Sequence, residues 1–229
     1  MCIQLQTALN EVLAMPYIQN EHHKSDGAKF AHEDTVADIL VNKGFTRYDA
    51  IYYPHATKKI FKDFADNGND TELRNVYKNL PNGSIITQPL GSQSFPDIFV
   101  KTFNGNFLLL ECKSVKKDKY APMWNDNVPR PNSIYIFSSG RYNKTTFFLG
   151  RDVITPEEYK LFRQIISEVA PIIEKYKLIS KGIDKFKRGW VQSSRCQHSQ
   201  IGGKKFADYF SHPDRQKCEQ NVLDYATSQ

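Results

Sequence analysis

Three side chains in one stretch can do chemistry together: Asp97, Glu111 and Lys113. They lie in Ser-Phe-Pro-Asp-Ile-Phe-Val-Lys-Thr-Phe-Asn-Gly-Asn-Phe-Leu-Leu-Leu-Glu-Cys-Lys-Ser, residues 94–114, where two runs rich in β-branched and aromatic residues flank Asn104-Gly105. That arrangement predicts a β-hairpin. Alternate side chains of a strand face opposite ways, so Glu111 and Lys113 share one face while Leu108, Leu110 and Cys112 take the other. A carboxylate and an amine then stand where a buried strand is otherwise apolar, and burying charge without a partner is costly. The plainer alternative is an ordinary sheet hairpin with a surface ion pair.

Register decides whether Asp97 joins them. A two-residue Asn-Gly loop pairs Asp97 with Cys112 and sends the two acids to opposite faces. A three-residue loop, Phe103-Asn104-Gly105 with Gly105 left-handed, pairs Thr102 with Asn106 and Asp97 with Glu111. Two neighbouring carboxylates repel each other, which is tolerable when a hard divalent cation sits between them.

Pro96-Asp97 followed by Glu111-Cys112-Lys113 resembles the PD-(D/E)xK nuclease motif, on the hairpin where that family carries it. The run Pro122-Met-Trp-Asn-Asp-Asn-Val-Pro-Arg-Pro-Asn-Ser-Ile-Tyr-Ile-Phe137 resembles a loop and strand of some type II restriction endonucleases in that superfamily. The resemblance implies an α/β fold, a mixed central sheet flanked by helices in the restriction-endonuclease manner. It also implies Mg²⁺-dependent, sequence-specific hydrolysis of double-stranded DNA to 5′-phosphate and 3′-hydroxyl ends, by a homodimer on a two-fold site. Asp97 and Glu111 become metal ligands, with the Cys112 carbonyl as a third. Lys113 orients or activates the attacking water. A helix ahead of the hairpin often supplies a further acid in that family, and Glu33 occupies that place here.

The supporting elements follow from periodicity. Leu5, Leu9, Val12 and Leu13 predict a helix over 2–14, ended by Pro16, and residues 19–30 read as a polar loop. A second helix spans about 31–43 and stops at Gly44. Its apolar stripe of Val36, Ala37 and Leu40 shares a face with Glu33. Glu33 has a second reading, as a partly exposed acid favoured by the helix dipole. Short helices are expected at 56–66 and 71–79, and strands at 84–87, 133–138 and 145–149. Thr155-Pro156-Glu157-Glu158 carries the signals of a helix start. The apolar stripe after it predicts a helix covering one face of the sheet, kinked or broken at Pro171. A last helix spans about 213–226. The chain reads as one domain over 1–229: a mainly helical part to residue 90, the catalytic sheet and covering helix over 91–180, then a basic segment and a terminal helix.

Composition sets the remaining bounds. With 229 residues, 40% of them hydrophobic, the chain can bury a core. No run is long and apolar enough for a membrane helix, and the first residues do not read as a signal peptide. Cys2, Cys112, Cys196 and Cys218 are scattered, which suits a reducing cytoplasm. Cys196-x-His198 with distant Cys218 lacks the paired spacing of a zinc site, and His22-His23 reads as a surface pair. The net charge of +6 is concentrated: residues 101–200 hold 18 Lys and Arg against 9 Asp and Glu. A basic half joined to an acidic motif fits a phosphate backbone, although a solvated basic surface has the same composition. Arg, Asn and Gln can bond base edges with both arms. DNA contacts are therefore expected from Gln93, from Asn125, Asn127, Arg130 and Asn132, from Arg141 and Lys144, and from Gln192, Arg195, Gln197 and Gln200. Two other readings of the function remain, a repair or recombination nuclease of the same superfamily and a DNA-binding module without catalysis.

Overall fold

The computed structural model describes residues 3–18, 21–23, 27–29, 31–52, 57–91, 94–119, 121–122, 124, 128–183 and 208–228. Helix α1 (Ile3–Leu13) buries Leu5, Ala8, Leu9 and Val12 at helical spacing. Strands β1 (Glu21–His23) and β2 (Gly27–Lys29) form an antiparallel pair where the sequence predicts only a loop. Three-residue strands carry too little pattern to show a period. Helix α2 (Ala31–Asn42) ends as expected, with Gly44 at φ 100° and its N–H donating to the Val41 carbonyl. Strand β3 (Thr46–Tyr48) and a 3-10 turn at Ala50–Tyr52 lead to α3 (Lys58–Asn67), capped by left-handed Gly68, and to α4 (Thr71–Val76). Strands β4 (Ser84–Thr87), β5 (Ile98–Lys101), β6 (Phe107–Val115), β7 (Ile134–Ser139) and β8 (Lys144–Leu149) follow. The chain closes with a short α5 (Gly150–Val153), the long α6 (Pro156–Ile183) and α7 (Arg215–Ser228).

Strands β3 to β8 form one six-stranded mixed sheet in sequence order. The β3–β4 and β6–β7 pairs are parallel and the other three pairs are antiparallel. The part before residue 90, expected to be mainly helical, thus contributes two strands. Ile85, Ile98, Val100, Leu108, Leu110, Ile134, Ile136 and Phe147 fill one face against α1, α2 and α7. Each such side chain removed from water contributes roughly 1.5–3 kcal/mol. The cover on the opposite face is split. Phe99, Phe107 and Leu109 pack against Phe61, Leu73 and Tyr77 of α3 and α4. Farther across the sheet, Tyr135, Phe137 and Phe148 pack against Trp124 and Tyr209.

The long helix departs from expectation in its packing. It runs without a break through Pro171, and none of its residues is buried. Pro171 lies on an exposed turn, where the carbonyl it frees reaches water, so the helix continues. Helices α7 and α1, rather than α6, pack on β8. The start of α6 is as read: the Glu158 N–H donates to Thr155 Oγ1 at 3.1 Å, and the Thr155 N–H donates to Glu158 Oε2 at 2.9 Å.

Candidate active site

The β5–β6 hairpin takes the three-residue register. Ile98 pairs with Leu110 and Lys101 with Phe107, so the ladder carries Asp97 opposite Glu111. The turn is closed by the Thr102 N–H to the Asn106 carbonyl at 2.8 Å and the Gly105 N–H to the Thr102 carbonyl at 2.9 Å. Gly105 has φ 81°. Asp97 and Glu111 therefore share a face with Phe99 and Leu109, in the gap between the two apolar clusters described above.

Four charged side chains meet there. Lys113 and Glu111 form an ion pair with side chains only 16% and 13% exposed. The Cys112 N–H donates to Asp97 Oδ2 at 2.7 Å. Glu33 reaches in from the first turn of α2, where Gln88 Nε2 donates to its Oε2 at 2.9 Å. The Gln88 N–H also donates to the Asp97 carbonyl, at 2.6 Å. Gln88 thus ties two of the three acids to the end of β4. It stands at φ 47°, a conformation a residue before proline rarely adopts. Nothing in the sequence reading singled it out. A long amide directly after the strand beside the motif was the available signal.

The electrostatics match this crowding. Burial, then the charges of Glu111 and Glu33, push the Asp97 carboxyl well above the usual carboxylate range. Burial also raises Glu33, with Glu111 adding to it and the Gln88 hydrogen bond opposing it. Burial works against a charged Lys113, but Glu111 and Asp97 outweigh it and hold the amine above the ordinary lysine range. Cys112 turns its thiol into the apolar core, so only its main chain faces the acids.

Neither a family model, nor a curated protein, nor a solved structure matches this chain. The site's chemistry rests on its own atoms. Among the described residues, no three or more His, Cys, Asp or Glu side chains are arranged to enclose a metal ion by themselves. The donors nevertheless suit a hard divalent cation. All three acids offer oxygen, the charges of Glu111 and Glu33 raise the proton affinity of Asp97, and buried Glu111 Oε2 has no hydrogen-bond partner. Asp97 and Glu111 with the Cys112 carbonyl form the set that could hold such an ion, with Glu33 as a fourth donor.

The residues expected to contact DNA divide into three groups. Gln93, Asn125, Asn127, Gln192, Arg195, Gln197 and Gln200 lie outside the described residues. Arg141 and Lys144 are exposed at the β7–β8 turn, close to the exposed Lys116 and Lys117 that follow β6. Arg130 corrects the expectation of a base contact. It is 2% exposed, ion-paired with Asp66 of α3, and stacked 5.3 Å from the centre of the Phe95 ring. Its guanidinium joins α3 to the start of β7. Asn132 is half-buried and accepts a hydrogen bond from Arg151 at 3.2 Å.

Proposed function

We propose that this chain is a Mg²⁺-dependent, sequence-specific DNA endonuclease of the type II restriction class, with a restriction-endonuclease-like fold. One observation carries the reading. Asp97, Glu111 and Lys113 share the face of a hairpin in the register the PD-(D/E)xK motif requires, joined by a third acid from α2. A surface ion pair needs neither the third acid nor the burial.

Asp97 and Glu111 would hold the ion, with the Cys112 carbonyl. A bound Mg²⁺ supplies charge neutralisation at the phosphoryl oxygens and makes water more acidic. The chain's own groups do the rest. With its proton affinity raised, Lys113 is an ammonium at neutral pH, a donor that orients water and offsets phosphate charge rather than a base. Glu33, fixed by Gln88, would offer a further carboxylate oxygen to the ion. Lys116 follows Lys113 by about 10 Å of strand. Together with Lys117, Arg141 and Lys144 it offers the backbone phosphates a basic rim.

The test uses purified protein, a plasmid of known sequence and Mg²⁺. Discrete fragments with 5′-phosphate ends are expected. Asp97→Ala, Glu111→Ala and Lys113→Ala should each lower cleavage by about 10²–10⁴-fold while still binding DNA in Ca²⁺. Lys113→Ala is the most informative, because it leaves both acids in place. Cutting by Lys113→Ala at the wild-type rate would end the nuclease reading. Nicking at unfixed positions would favour the repair-type nuclease, and binding without cutting the non-catalytic module.

A further inference from the structure

A cleft of about 520 Å³ opens at the carboxyl ends of β6 and β7, lined by Tyr17, Lys116, Lys117, Asp118 and Gly140. Its size falls in the roughly 300–1,000 Å³ range of small-molecule sites. The two strands run parallel, and ligands of such sheets collect beyond the carboxyl ends of the strands. Three segments build the walls: the tail of α1, the turn after β6 and the β7–β8 turn. The Tyr17 N–H donates to Asn143 Oδ1 at 3.3 Å, the Lys119 N–H to the Lys116 carbonyl at 3.0 Å, and the Gly140 N–H to the Val115 carbonyl at 2.9 Å. Gly140 lets the walls close on one another. A Cβ there would stand 2.9 Å from the Lys117 main-chain nitrogen and 3.1 Å from Tyr17 Cε1, so any side chain would push the aromatic wall away from the lysine wall.

The chemistry of the walls selects the ligand. Tyr17 is half-buried, and burial, then the charge of Asp118, raises its phenol above the ordinary range. The ring stays neutral and can stack with a flat heterocycle. Lys116 and Lys117 are exposed, and among the described residues neither is ion-paired. Two uncommitted ammonium groups side by side favour an anion, and a phosphate above all. Asp118 accepts hydrogen bonds and repels a bare anion. A simple inorganic anion would leave the aromatic wall unused. A ligand that suits all the walls carries a flat ring, a phosphate and an N–H or O–H donor.

We propose that this cleft binds a nucleoside monophosphate unit, with its base on the Tyr17 ring, its phosphate at Lys116 and Lys117, and a base amino or sugar hydroxyl group donating to Asp118. The unit is either a free nucleotide or an unpaired nucleotide of a DNA strand. The site is separate from the acids, because Tyr17 follows α1, the helix packed on the sheet face opposite Asp97 and Glu111. Lys116 and Lys117 also serve the proposed DNA rim, whereas Tyr17 and Asp118 belong to this site alone.

The test is calorimetric titration of the full chain, without Mg²⁺, with deoxyadenosine 5′-monophosphate, deoxyadenosine and inorganic phosphate. The nucleotide should bind at least about tenfold more tightly than either fragment, since neither fragment reaches both walls. Tyr17→Leu should weaken nucleotide binding about 5–100-fold, while Tyr17→Phe, which keeps the ring, should hold it within about twofold. Lys116→Ala with Lys117→Ala should bring the nucleotide down to the affinity of deoxyadenosine. A short single-stranded oligonucleotide separates the two sources: displacement of the bound nucleotide assigns the cleft to a DNA strand, and its retention assigns the cleft to the free nucleotide. No nucleotide binding at millimolar concentration overturns the inference. So does inorganic phosphate binding as tightly as the nucleotide, or a Tyr17→Leu variant that binds as wild type. Such a failure leaves Mg²⁺-dependent plasmid cleavage untouched, so this inference and the nuclease reading fall separately.

Discussion

Gln88 and Asp97 show how single residues make this site. Gln88 is held in a left-handed conformation by two hydrogen bonds, one to Glu33 and one to the Asp97 carbonyl, and it contributes no charge of its own. A strained position persists where the surroundings determine it strongly. Gln88→Ala should raise the Mg²⁺ concentration needed for half-maximal cleavage by about 10–100-fold, the usual effect of removing a group that orients a ligand. An unchanged Mg²⁺ titration would reduce Gln88 to a turn residue. Asp97 carries the opposite burden, a charge that the folded chain disfavours. Its folded pKa lies above its unfolded value, so the stability it contributes is present at low pH and lost as pH rises from the ordinary carboxylate range through the folded pKa. In chelator at neutral pH, Asp97→Asn should therefore be more stable than wild type by roughly 0.5–2 kcal/mol, and the gap should close as pH falls. Mg²⁺ should stabilise the wild type and leave the variant unmoved. Thermal melts with and without the ion give both answers.

The elements are joined by a few buried polar contacts, of which Arg130 is the most demanding. It pairs with Asp66, donates a further hydrogen bond to the Tyr159 hydroxyl at 3.5 Å, and carries its main-chain N–H to the Tyr135 hydroxyl at 2.7 Å. These bonds fix α3 and the start of α6 to β7, the strand beside the one that carries Glu111 and Lys113. Removing one partner of a buried pair leaves the other charge uncompensated. Arg130→Ala should cost about 3–5 kcal/mol in denaturant unfolding. Any loss of DNA affinity should be the same for specific and random sequences. Selective loss of specific binding would return Arg130 to the base-contact role that the sequence suggests. The hairpin depends on a different kind of fit. Gly83 has φ 74°, and a Cβ there would lie 2.4 Å from the Phe103 ring, so the turn preceding β4 supports the β5–β6 turn through a missing side chain.

Among the described residues, exposed basic side chains gather at one end of the sheet, where the proposed polyanion would lie. The basic excess lies in residues 101–200, and the exposed Lys116, Lys117, Arg141 and Lys144 follow β6 and β7 beyond the acids. Affinity for DNA should fall steeply with salt, with a slope in log–log form of about −0.9 for each phosphate neutralised. Lys116→Ala with Lys117→Ala should make that slope shallower by about one to two units and weaken all sequences alike. A salt slope unaffected by this pair would place the DNA elsewhere on the protein. Among the described residues no helix is long and apolar enough to cross a membrane.

The sequence alone determined the features that depend on neighbours along the chain. Asn104-Gly105 between two apolar runs was sufficient to pose the two registers, and the demand that Asp97 meet Glu111 selected the one observed. The helix stop at Gly44, the capping box at Thr155 and the β4 strand were legible for the same reason, because each is decided within a few residues. Glu33 was legible as an acid on an inward face, but the partner that fixes it was not. Gln88 lies 55 positions from Glu33, and Arg130 lies 64 from Asp66. Contacts of that kind exist only once the sheet has brought β4, β5 and β6 side by side. The same dependence explains the long helix. Its stripe reads as core-facing in sequence, but periodicity states that a face is apolar without naming its partner. The sheet decided the outcome: α1 and α7 take β8, the Trp124–Tyr209 cluster takes the other side of β7, and α6 is left with an apolar face turned to solvent.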